Sequence, residues 1–212
     1  MIIMVTGATA GFGESITRRF IANGHKVIAT GRREERLKTL KDELGDNLYI
    51  AQLDVRNRAA IETLIADLPA EWQAIDVLVN NAGLALGLEP AHRASVEDWE
   101  DMIDTNNKGL VYMTRAVLPG MVERNRGHII NIGSTAGSWP YAGGNVYGAT
   151  KAFVRQFSLN LRTVVVKFFW TRRSDGRVMH RRATGRQGWP AFRTVRVIGS
   201  QVLNAIGYCY KS

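Results

Sequence analysis

Short apolar runs alternate with amphipathic segments along most of the chain. Five apolar runs, at residues 2–6, 26–30, 48–53, 75–79 and 128–132, have the length and composition of buried strands. After each run, apolar residues recur at helical spacing. The first of these helical segments ends at residue 24, and the others cover residues 34–45, 59–68, 105–123 and 147–162. An acidic polar segment at 95–104 precedes the helix predicted at 105–123. This alternation predicts an α/β fold, a single domain with a doubly wound parallel sheet and helices on both faces.

Composition agrees with one soluble domain. The chain has 212 residues, 45% of them hydrophobic, which is enough for one buried core. Cys209 is the single cysteine, so we exclude a disulfide framework and expect a reducing, cytoplasmic location. No apolar run approaches the ~18 residues of a membrane span, and the N-terminal segment lacks the features of a signal peptide. The four histidines are scattered without ligand spacing, so we expect no metal site.

The positive charge is confined to the C-terminal part of the chain. The net charge of +9 resides in residues 164–212, which contain ten Lys and Arg residues against Asp175 alone, whereas residues 1–163 are neutral. The charge pattern therefore divides the chain into a body, residues 1–163, and a basic C-terminal segment, residues 164–212.

A glycine-rich turn follows the first predicted strand, with Gly7, Gly11 and Gly13 leading into a helix. Glycines allow backbone amides to approach an anion closely, and the positive end of a helix dipole favours the anion further. The strand, turn and helix N-terminus together predict a site for the pyrophosphate of a dinucleotide.

Residues at the ends of the next strands fit the rest of such a dinucleotide. Arg32 and Arg33 follow the second strand, where arginine accommodates the 2′-phosphate of NADP. The alternative is that both arginines merely begin the solvated helix after them. Asp54 follows the third strand, at the position of the adenine amino group, and residues 80–83 (NNAG) follow the fourth strand, which lies beside the first in a doubly wound sheet.

Ser134, Tyr147 and Lys151 form a candidate catalytic set. Tyr147 and Lys151 are four residues apart on a predicted helix, so their side chains lie on one face. A nearby ammonium favours phenolate and lowers the pKa of a tyrosine from about 10, as a proton donor and acceptor for a carbonyl/alcohol pair requires. Ser134 follows the fifth strand, where its hydroxyl can bond a substrate oxygen. The alternative is an ordinary exposed helix pair, because this Tyr/Lys spacing is common by chance.

These motifs resemble, in order and spacing, those of the classical short-chain dehydrogenase/reductase family. The resemblance covers residues 1 to about 163 and rests on TGATAGFG at 6–13, NNAG at 80–83, Asn106 with Gly109, Ser134, and YGATK at 147–151. It implies a Rossmann-type fold and hydride transfer with a nicotinamide cofactor. The flanking segments are most similar to the bacterial NADP-dependent 3-hydroxy acid dehydrogenases of this family. That similarity implies NADP and a small substrate of the serine, L-allo-threonine or 3-hydroxypropionate type, or the matching 3-oxo form such as malonic semialdehyde.

The resemblance also implies roles for individual residues. Tyr147 is expected to be the acid/base, Ser134 to position the substrate oxygen, and Asn106 to hold a water of the proton relay. Lys151 is expected to stabilise the phenolate and bind the nicotinamide ribose. The implied cofactor-binding residues are Gly7, Thr9, Gly11, Phe12, Gly13, Arg32, Arg33, Asp54, Val55, Asn81, Tyr147 and Lys151. A homodimer or homotetramer is implied as well.

The loop between Ser134 and Tyr147 carries Trp139, Tyr141 and Asn145. One interpretation is that these side chains shape the substrate pocket. The other is that the two aromatic rings simply pack the loop. The sequence alone leaves both open.

Residues 164–212 depart from the family pattern. Members of the family continue with a sixth strand, a Pro-Gly turn over the nicotinamide, a covering segment and a seventh strand, and none of these follows Thr163. The segment 164–170 has the composition of a strand but follows the helix too closely for a right-handed crossover. Unpaired arginines resist burial, so we expect residues from about 171 onward to be poorly ordered. We interpret this segment as an out-of-frame reading of the message, which leaves the pocket uncovered, the activity impaired and the oligomer in doubt.

A second hypothesis belongs to a different class of protein. The chain would be a non-catalytic Rossmann-type domain whose basic extension binds a polyanion, because arginines interleaved with Trp170 and Trp189 could contact phosphates and stack on bases. The extension contains no recognisable nucleic-acid module, so we do not expect nucleic acid as a partner.

Overall fold

A computed structural model describes residues 1–165, 170–172, 178–180 and 196–198, with side chains described through residue 162. The strands of the body are β1 (Ile2–Thr6), β2 (Lys26–Gly31), β3 (Leu48–Gln52), β4 (Ile75–Asn80) and β5 (His128–Ile132). The helices are α1 (Gly11–Ala22), α2 (Glu34–Leu44), α3 (Arg58–Ala66), α4 (Val96–Ile103), α5 (Leu110–Glu123) and α6 (Asn145–Val165). A π-helical turn, Asp104–Gly109, joins α4 to α5.

The five strands form a parallel sheet in the order β3-β2-β1-β4-β5. The chain runs outward from β1 through β2 to β3, and then returns to the other side of β1 as β4. Loops on the two sides of this reversal diverge at the carboxyl ends of β1 and β4, which opens a crevice there. The doubly wound sheet predicted from the sequence is therefore confirmed.

Both faces of the sheet are buried. Met4 of β1 packs with Leu78 of β4 in one apolar cluster, which includes side chains of α3 and α5. Ile3 and Val5 point to the opposite face, where they pack in a second cluster that includes side chains of α2. Successive strand residues face opposite ways, so a strand covered on both sides is apolar at every position. This explains why the strands appear as continuous apolar runs.

The helical segment before β5 begins earlier than the sequence pattern predicted. We expected a polar segment at 95–104 and a helix from residue 105, but α4 already begins at Val96. Ser95 caps it, since its Oγ accepts a hydrogen bond from the Asp98 amide at 3.0 Å. Glu97 and Asp98, the acidic side chains of the first turn, interact favourably with the positive end of the helix dipole. Acidity at this position therefore stabilises the helix.

Three short strands are described beyond α6, namely β6 (Trp170–Arg172), β7 (Val178–His180) and β8 (Arg196–Ile198). β6 pairs with β7 in antiparallel orientation, and β8 lies parallel to β5. Of the strand-like segment 164–170, the first two residues belong to α6, which continues to Val165, and Trp170 begins β6. The expectation of poor order from about residue 171 onward falls mainly outside the described residues.

The described part of the chain contains neither a membrane-spanning helix nor a metal-binding cluster of side chains. None of its helices combines the length and apolar character needed to cross a membrane. Nor do its His, Cys, Asp and Glu side chains form a group of three or more that could hold a metal ion.

Candidate active site

Glycines shape the turn between β1 and α1. Gly7 has a φ of +65°, in the left-handed region that favours glycine. A Cβ atom at Gly13 would lie 2.2 Å from the Gly7 carbonyl oxygen, a distance that excludes any side chain. The first turn of α1 therefore packs directly on the loop before it, and the helix N-terminus opens onto the crevice.

A cavity of about 580 Å³ extends along this crevice. Residues from the glycine turn, the ends of the strands and α6 line it together. The predicted site residues in its lining are Gly7, Thr9, Phe12, Arg32, Arg33, Asp54, Val55, Asn81, Ser134, Tyr147 and Lys151. Gly11, Gly13 and Asn106 were also predicted, and they lie outside the lining. The fold thus brings residues that are far apart in sequence to one cavity.

Asn81 braces the glycine turn. Its Nδ2 donates to the carbonyl oxygens of Thr6 at 2.9 Å and Gly7 at 3.2 Å, while its backbone amide donates to Thr6 Oγ1 at 3.0 Å. These bonds tie the loop after β4 to the loop after β1. Both side-chain hydrogens of Asn81 are used within the protein, so its contribution at the cavity is to hold the shape of the turn.

The arginines after β2 lie over the same turn. The Arg33 guanidinium donates to Thr9 Oγ1 at 3.0 and 3.3 Å and to the Thr9 carbonyl oxygen at 3.2 Å. Gly31 makes room for this approach, since a Cβ atom there would lie 2.7 Å from Thr9 Cγ2. Arg36, which the sequence analysis missed, also donates to the Thr9 carbonyl oxygen, at 3.5 Å. Positive charge is thus concentrated at this end of the cavity.

Asp54 lies at the far end of β3, held by another residue that the sequence analysis missed. Arg56 donates from Nε to both carboxylate oxygens, at 3.1 and 3.0 Å, and from Nη2 to Oδ2 at 2.7 Å. These hydrogen bonds lower the pKa of the Asp54 carboxyl below its ordinary value. An acid followed two residues later by arginine, directly after a strand, is the sequence signal that could have identified the pair.

Lys151 is the charged residue at the opposite end. Its side chain is buried, with 7% of the residue exposed, and Nζ donates to the Ile132 carbonyl oxygen at 3.0 Å. Nζ lies 5.8 Å from the centre of the Tyr147 ring, as the spacing on α6 predicted. Burial lowers the pKa of Lys151 from 10.5 to about 8, so most of the population is charged at pH 7.

Ser134 begins the short turn Thr135–Gly137 after β5. Its Oγ accepts a hydrogen bond from the Ala136 amide at 3.2 Å, which orients the hydroxyl and leaves its hydrogen able to donate. A Cβ atom at Gly137 would lie 2.6 Å from the Lys151 carbonyl carbon, so this turn packs directly on α6. The close packing fixes Ser134 relative to Tyr147 and Lys151.

Asn106 lies in the π-helical turn, behind the cavity wall. Its Oδ1 accepts from the Leu84 amide at 2.8 Å, and its Nδ2 donates to the Leu84 carbonyl oxygen at 2.9 Å and to Thr150 Oγ1 at 3.1 Å. A Cβ atom at Gly83 would lie 3.0 Å from Asn106 Oδ1 and 3.5 Å from Lys151 Nζ, so the side chains of Asn106 and Lys151 both approach this glycine. The neighbouring Thr105, which the sequence analysis did not identify, lines the cavity.

The loop residues proposed for the substrate pocket lie outside the cavity lining. Trp139 is 74% exposed. The Asn145 side chain donates to the Glu89 carbonyl oxygen at 2.8 Å and so fastens this loop to the one after β4. The pKa of Tyr141 is raised, first by the partial burial of Tyr141 and then by the nearby phenol of Tyr147. Of the three, only Tyr141 has a described connection to the catalytic set.

Comparison with known proteins agrees with this geometry. The family model for short chain dehydrogenase matches residues 1–167, and the chain belongs to that family. The NADP-dependent 3-hydroxy acid dehydrogenase of Escherichia coli K12 is 88% identical over 163 residues, which make up 77% of this chain and 66% of the relative. The chain therefore spans slightly less than two thirds of that relative's length.

Two solved structures of serine dehydrogenases are also similar. The enzyme from Escherichia coli superposes with a TM-score of 0.77 at 88% identity, over 77% of this chain and 76% of the other. A closed form complexed with NADP+ gives a TM-score of 0.78 at 86% identity, over 79% of this chain and 67% of the other. The family predicted from the sequence motifs is thereby confirmed.

Proposed function

We propose that the chain is an NADP-dependent oxidoreductase that interconverts a small 3-hydroxy acid and its 3-oxo form. The observation that carries this proposal is one cavity with arginines at one end and Ser134, Tyr147 and Lys151 at the other. The relatives named above, an NADP-dependent 3-hydroxy acid dehydrogenase and serine dehydrogenases, support the choice of cofactor and substrate class.

The cavity fits a dinucleotide phosphate. Gly7 and the N-terminus of α1 would receive the pyrophosphate, with Gly11 and Gly13 keeping the turn compact and Thr9 and Phe12 on the cavity wall. Arg32 and Arg33 would bind the 2′-phosphate. Asp54 and Val55 would contact the adenine, while Asn81 would hold the turn beside the adenosine. Among the described side chains, Thr105 Oγ1 is buried on the cavity wall without a hydrogen-bond partner, as expected of a group that meets a ligand.

The nicotinamide supplies or accepts the hydride. The protein's part is to place the substrate oxygen and move a proton to or from it. Ser134 would donate a hydrogen bond to that oxygen, since its Oγ accepts from the Ala136 amide and its hydroxyl hydrogen can still be donated. Tyr147 gives the phenolic proton to the carbonyl oxygen in reduction and takes it back in oxidation.

Lys151 and Asn106 act behind this pair. The charged ammonium of Lys151 lies 5.8 Å from the centre of the Tyr147 ring, where the nicotinamide ribose would bind. The side-chain hydrogens of Asn106 are donated to Leu84 and Thr150, so a relay water would bind its backbone carbonyl or the second lone pair of Oδ1. Asn106 thus supports the relay without contacting substrate.

The unusual C-terminal segment is part of the proposal. The family match ends at residue 167, and the sequence beyond it lacks the Pro-Gly turn of the family pattern. We expect NADPH binding to be retained and turnover to be impaired. A cytoplasmic location and a homo-oligomer stay predictions, the latter weakened because the C-terminal segment departs from the family pattern.

Two measurements on the purified 212-residue chain test the proposal. NADPH binding is followed by the fluorescence of the reduced nicotinamide, with NADH as the matched comparison. NADPH oxidation is then measured with malonic semialdehyde and other small 3-oxo acids. We expect NADPH to bind more tightly than NADH, with slow turnover. A folded chain that binds neither nucleotide would refute the cofactor assignment, and a rate equal to that of the full-length relative would refute the impairment.

A further inference from the structure

The charged side chains of Asp54, Arg56 and Asp101 form a connected series of hydrogen bonds beside the end of the cavity where the adenine is proposed to bind. The Arg56 guanidinium binds the Asp54 carboxylate through Nε and Nη2, and its Nη1 donates to Asp101 Oδ1 at 2.7 Å. Asp54 follows β3, whereas Asp101 lies on α4, 45 residues beyond Arg56 along the chain. Arg56 thus joins two distant elements, yet it is outside the cavity lining. Any effect of Arg56 on a bound nucleotide must act through Asp54.

The contact with Arg56 restricts what Asp54 can accept. The Arg56 backbone amide also donates to Oδ1, at 3.0 Å, and Nε is shared between Oδ1 and Oδ2, so three N–H hydrogens of Arg56 bond the carboxylate. A carboxylate offers about four lone-pair sites, of which these bonds occupy three. Two-pronged binding fixes the plane of the group. Asp54 therefore faces the cavity in a defined orientation with room for one further donor.

The second contact of Arg56 holds the loop itself. Asp101 belongs to α4, which continues through the π-helical turn into α5. On the other side of Asp54, a Cβ atom at Gly109 would lie 2.6 Å from Val55 Cγ2, so the loop also packs on the end of that turn. Residues 54–56 are held at two points by one helical segment. A loop held in this way keeps its position before the nucleotide arrives.

We propose that Arg56 is a positioning residue for adenine recognition, which orients the Asp54 carboxylate so that its remaining acceptor site meets the 6-amino group. This inference rests on the proposed NADP-dependent function. A purely structural role for Arg56 makes a different prediction. Loss of Arg56 would then weaken every nucleotide alike, because nothing in a general loosening of the loop distinguishes an amino group from a carbonyl group.

The test uses an NADPH analogue in which hypoxanthine replaces adenine. The analogue carries a carbonyl oxygen in place of the 6-amino group and cannot donate to Asp54. A hydrogen bond to a charged group corresponds to a preference of roughly tenfold or more. We therefore expect the parent chain to bind NADPH at least about tenfold more tightly than the analogue, as measured by nucleotide fluorescence or calorimetry.

Variants of Arg56 test whether the preference for NADPH over the hypoxanthine analogue depends on this residue. In Arg56→Ala the ratio of the two dissociation constants should fall below about threefold, and Arg56→Lys should lose most of it as well, since an ammonium does not bind a carboxylate in two-pronged fashion. Arg58→Ala is the matched control, because Arg58 pairs only with the exposed Glu62 at 3.3 Å among the ion pairs of the described residues. Its ratio should equal that of the parent chain.

Asp54→Asn provides a second route if Arg56→Ala folds poorly. An asparagine amide can donate to the carbonyl oxygen of hypoxanthine, so the preference should collapse while Arg56 is still present. Equal weakening of both nucleotides in Arg56→Ala would overturn the inference and leave the proposed function intact. A parent chain that binds both nucleotides equally would overturn it too. A parent chain that binds neither would refute the proposed function itself, and the inference would fall with it.

Discussion

The two ends of the cavity differ in how far their charged side chains are exposed to water. Asp54 and Arg56 lie near water at one end, whereas Lys151 is buried in the protein interior at the other. The side chains of Asp54 and Arg56 are 33% and 34% exposed. Lys151 is 7% exposed and Asn106 only 2%. Water and salt screen the first group, so each of its contacts contributes modestly to the stability of the fold. At the second end desolvation dominates, and each polar group depends on the partners around it.

Among the substitutions that test this difference, Tyr147→Phe should have the largest effect, and it should act on the reaction rate. The substitution removes the proton donor and keeps the ring, so the rate should fall by about 10²-fold or more, with NADPH affinity nearly unchanged. Single-turnover NADPH oxidation with enzyme in excess measures this even where turnover is slow. Tyr49→Phe, in β3, is the control and should leave the rate unchanged. A near-normal rate in Tyr147→Phe would show that the proton comes from elsewhere.

Lys151→Met tests the buried charge through stability. The pKa of Lys151 is about 8 in the folded chain against 10.5 ordinarily, so burial of the charge destabilises the fold at neutral pH. As pH rises from about 8 to 10.5, the folded chain binds fewer protons than the unfolded chain and gains stability. The Met variant lacks this gain. Its unfolding free energy relative to the parent chain should therefore fall by up to about 3 kcal/mol over that range.

Denaturant unfolding at several pH values, followed by circular dichroism, measures this difference. The oxidoreductase activity of Lys151→Met should be lost at every pH. A difference in unfolding free energy that stays constant from pH 7 to 10 would show that Lys151 is not significantly desolvated.

Replacement of Arg32 and Arg33 by glutamine tests the exposed end. Each charge-assisted bond to a 2′-phosphate should contribute about 1.5–3 kcal/mol, so NADPH binding should weaken and NADH binding should not. Lys38→Gln is the control, because Lys38 pairs with Glu34 and Glu35 on α2 away from the cavity. Equal losses for both nucleotides would mean that the arginines serve α2 and the glycine turn alone.

Ser158→Ala and Thr39→Ala together compare the same kind of hydrogen bond in buried and exposed surroundings. Ser158 Oγ donates to the Val154 carbonyl oxygen at 2.7 Å and accepts from Asn131 Nδ2 at 2.8 Å, in the buried region behind the catalytic residues. Its loss leaves a buried donor unpaired and should cost about 1–3 kcal/mol.

Thr39→Ala removes a bond of the same kind on the exposed face of α2, where Thr39 Oγ1 donates to the Glu35 carbonyl oxygen at 3.0 Å. That change should stay within about 0.5 kcal/mol. Chemical denaturation of both variants gives the comparison, and similar losses in the two would contradict the contrast between buried and exposed surroundings.

The features predicted correctly from the sequence share one property, which is that neighbouring residues decide them. The apolar runs became β1 to β5, and the glycine turn has the compact shape its residues require. The spacing of Tyr147 and Lys151 placed both on one face of α6. Two features were missed although their signals are local, namely the start of α4 at its Ser95 cap and the Asp54–Arg56 pair. Other features that were missed cannot be read from neighbouring residues. The π-helical turn at Asp104–Gly109 and the approach of Arg56 to Asp101 have no local sequence signature.

The sequence by itself determined the order of strands and helices, the family and the types of residue around the cavity, because periodicity and motif spacing are local properties. Only the tertiary structure decided how those residues are used. It showed that Asn106 lies behind Gly83, that the side-chain donors of Asn81 hold the glycine turn, and that Lys151 is buried enough to lower its pKa to about 8. Burial and hydrogen-bond partners depend on which segments meet in space, and the physical environment of a charge exists only once they have met.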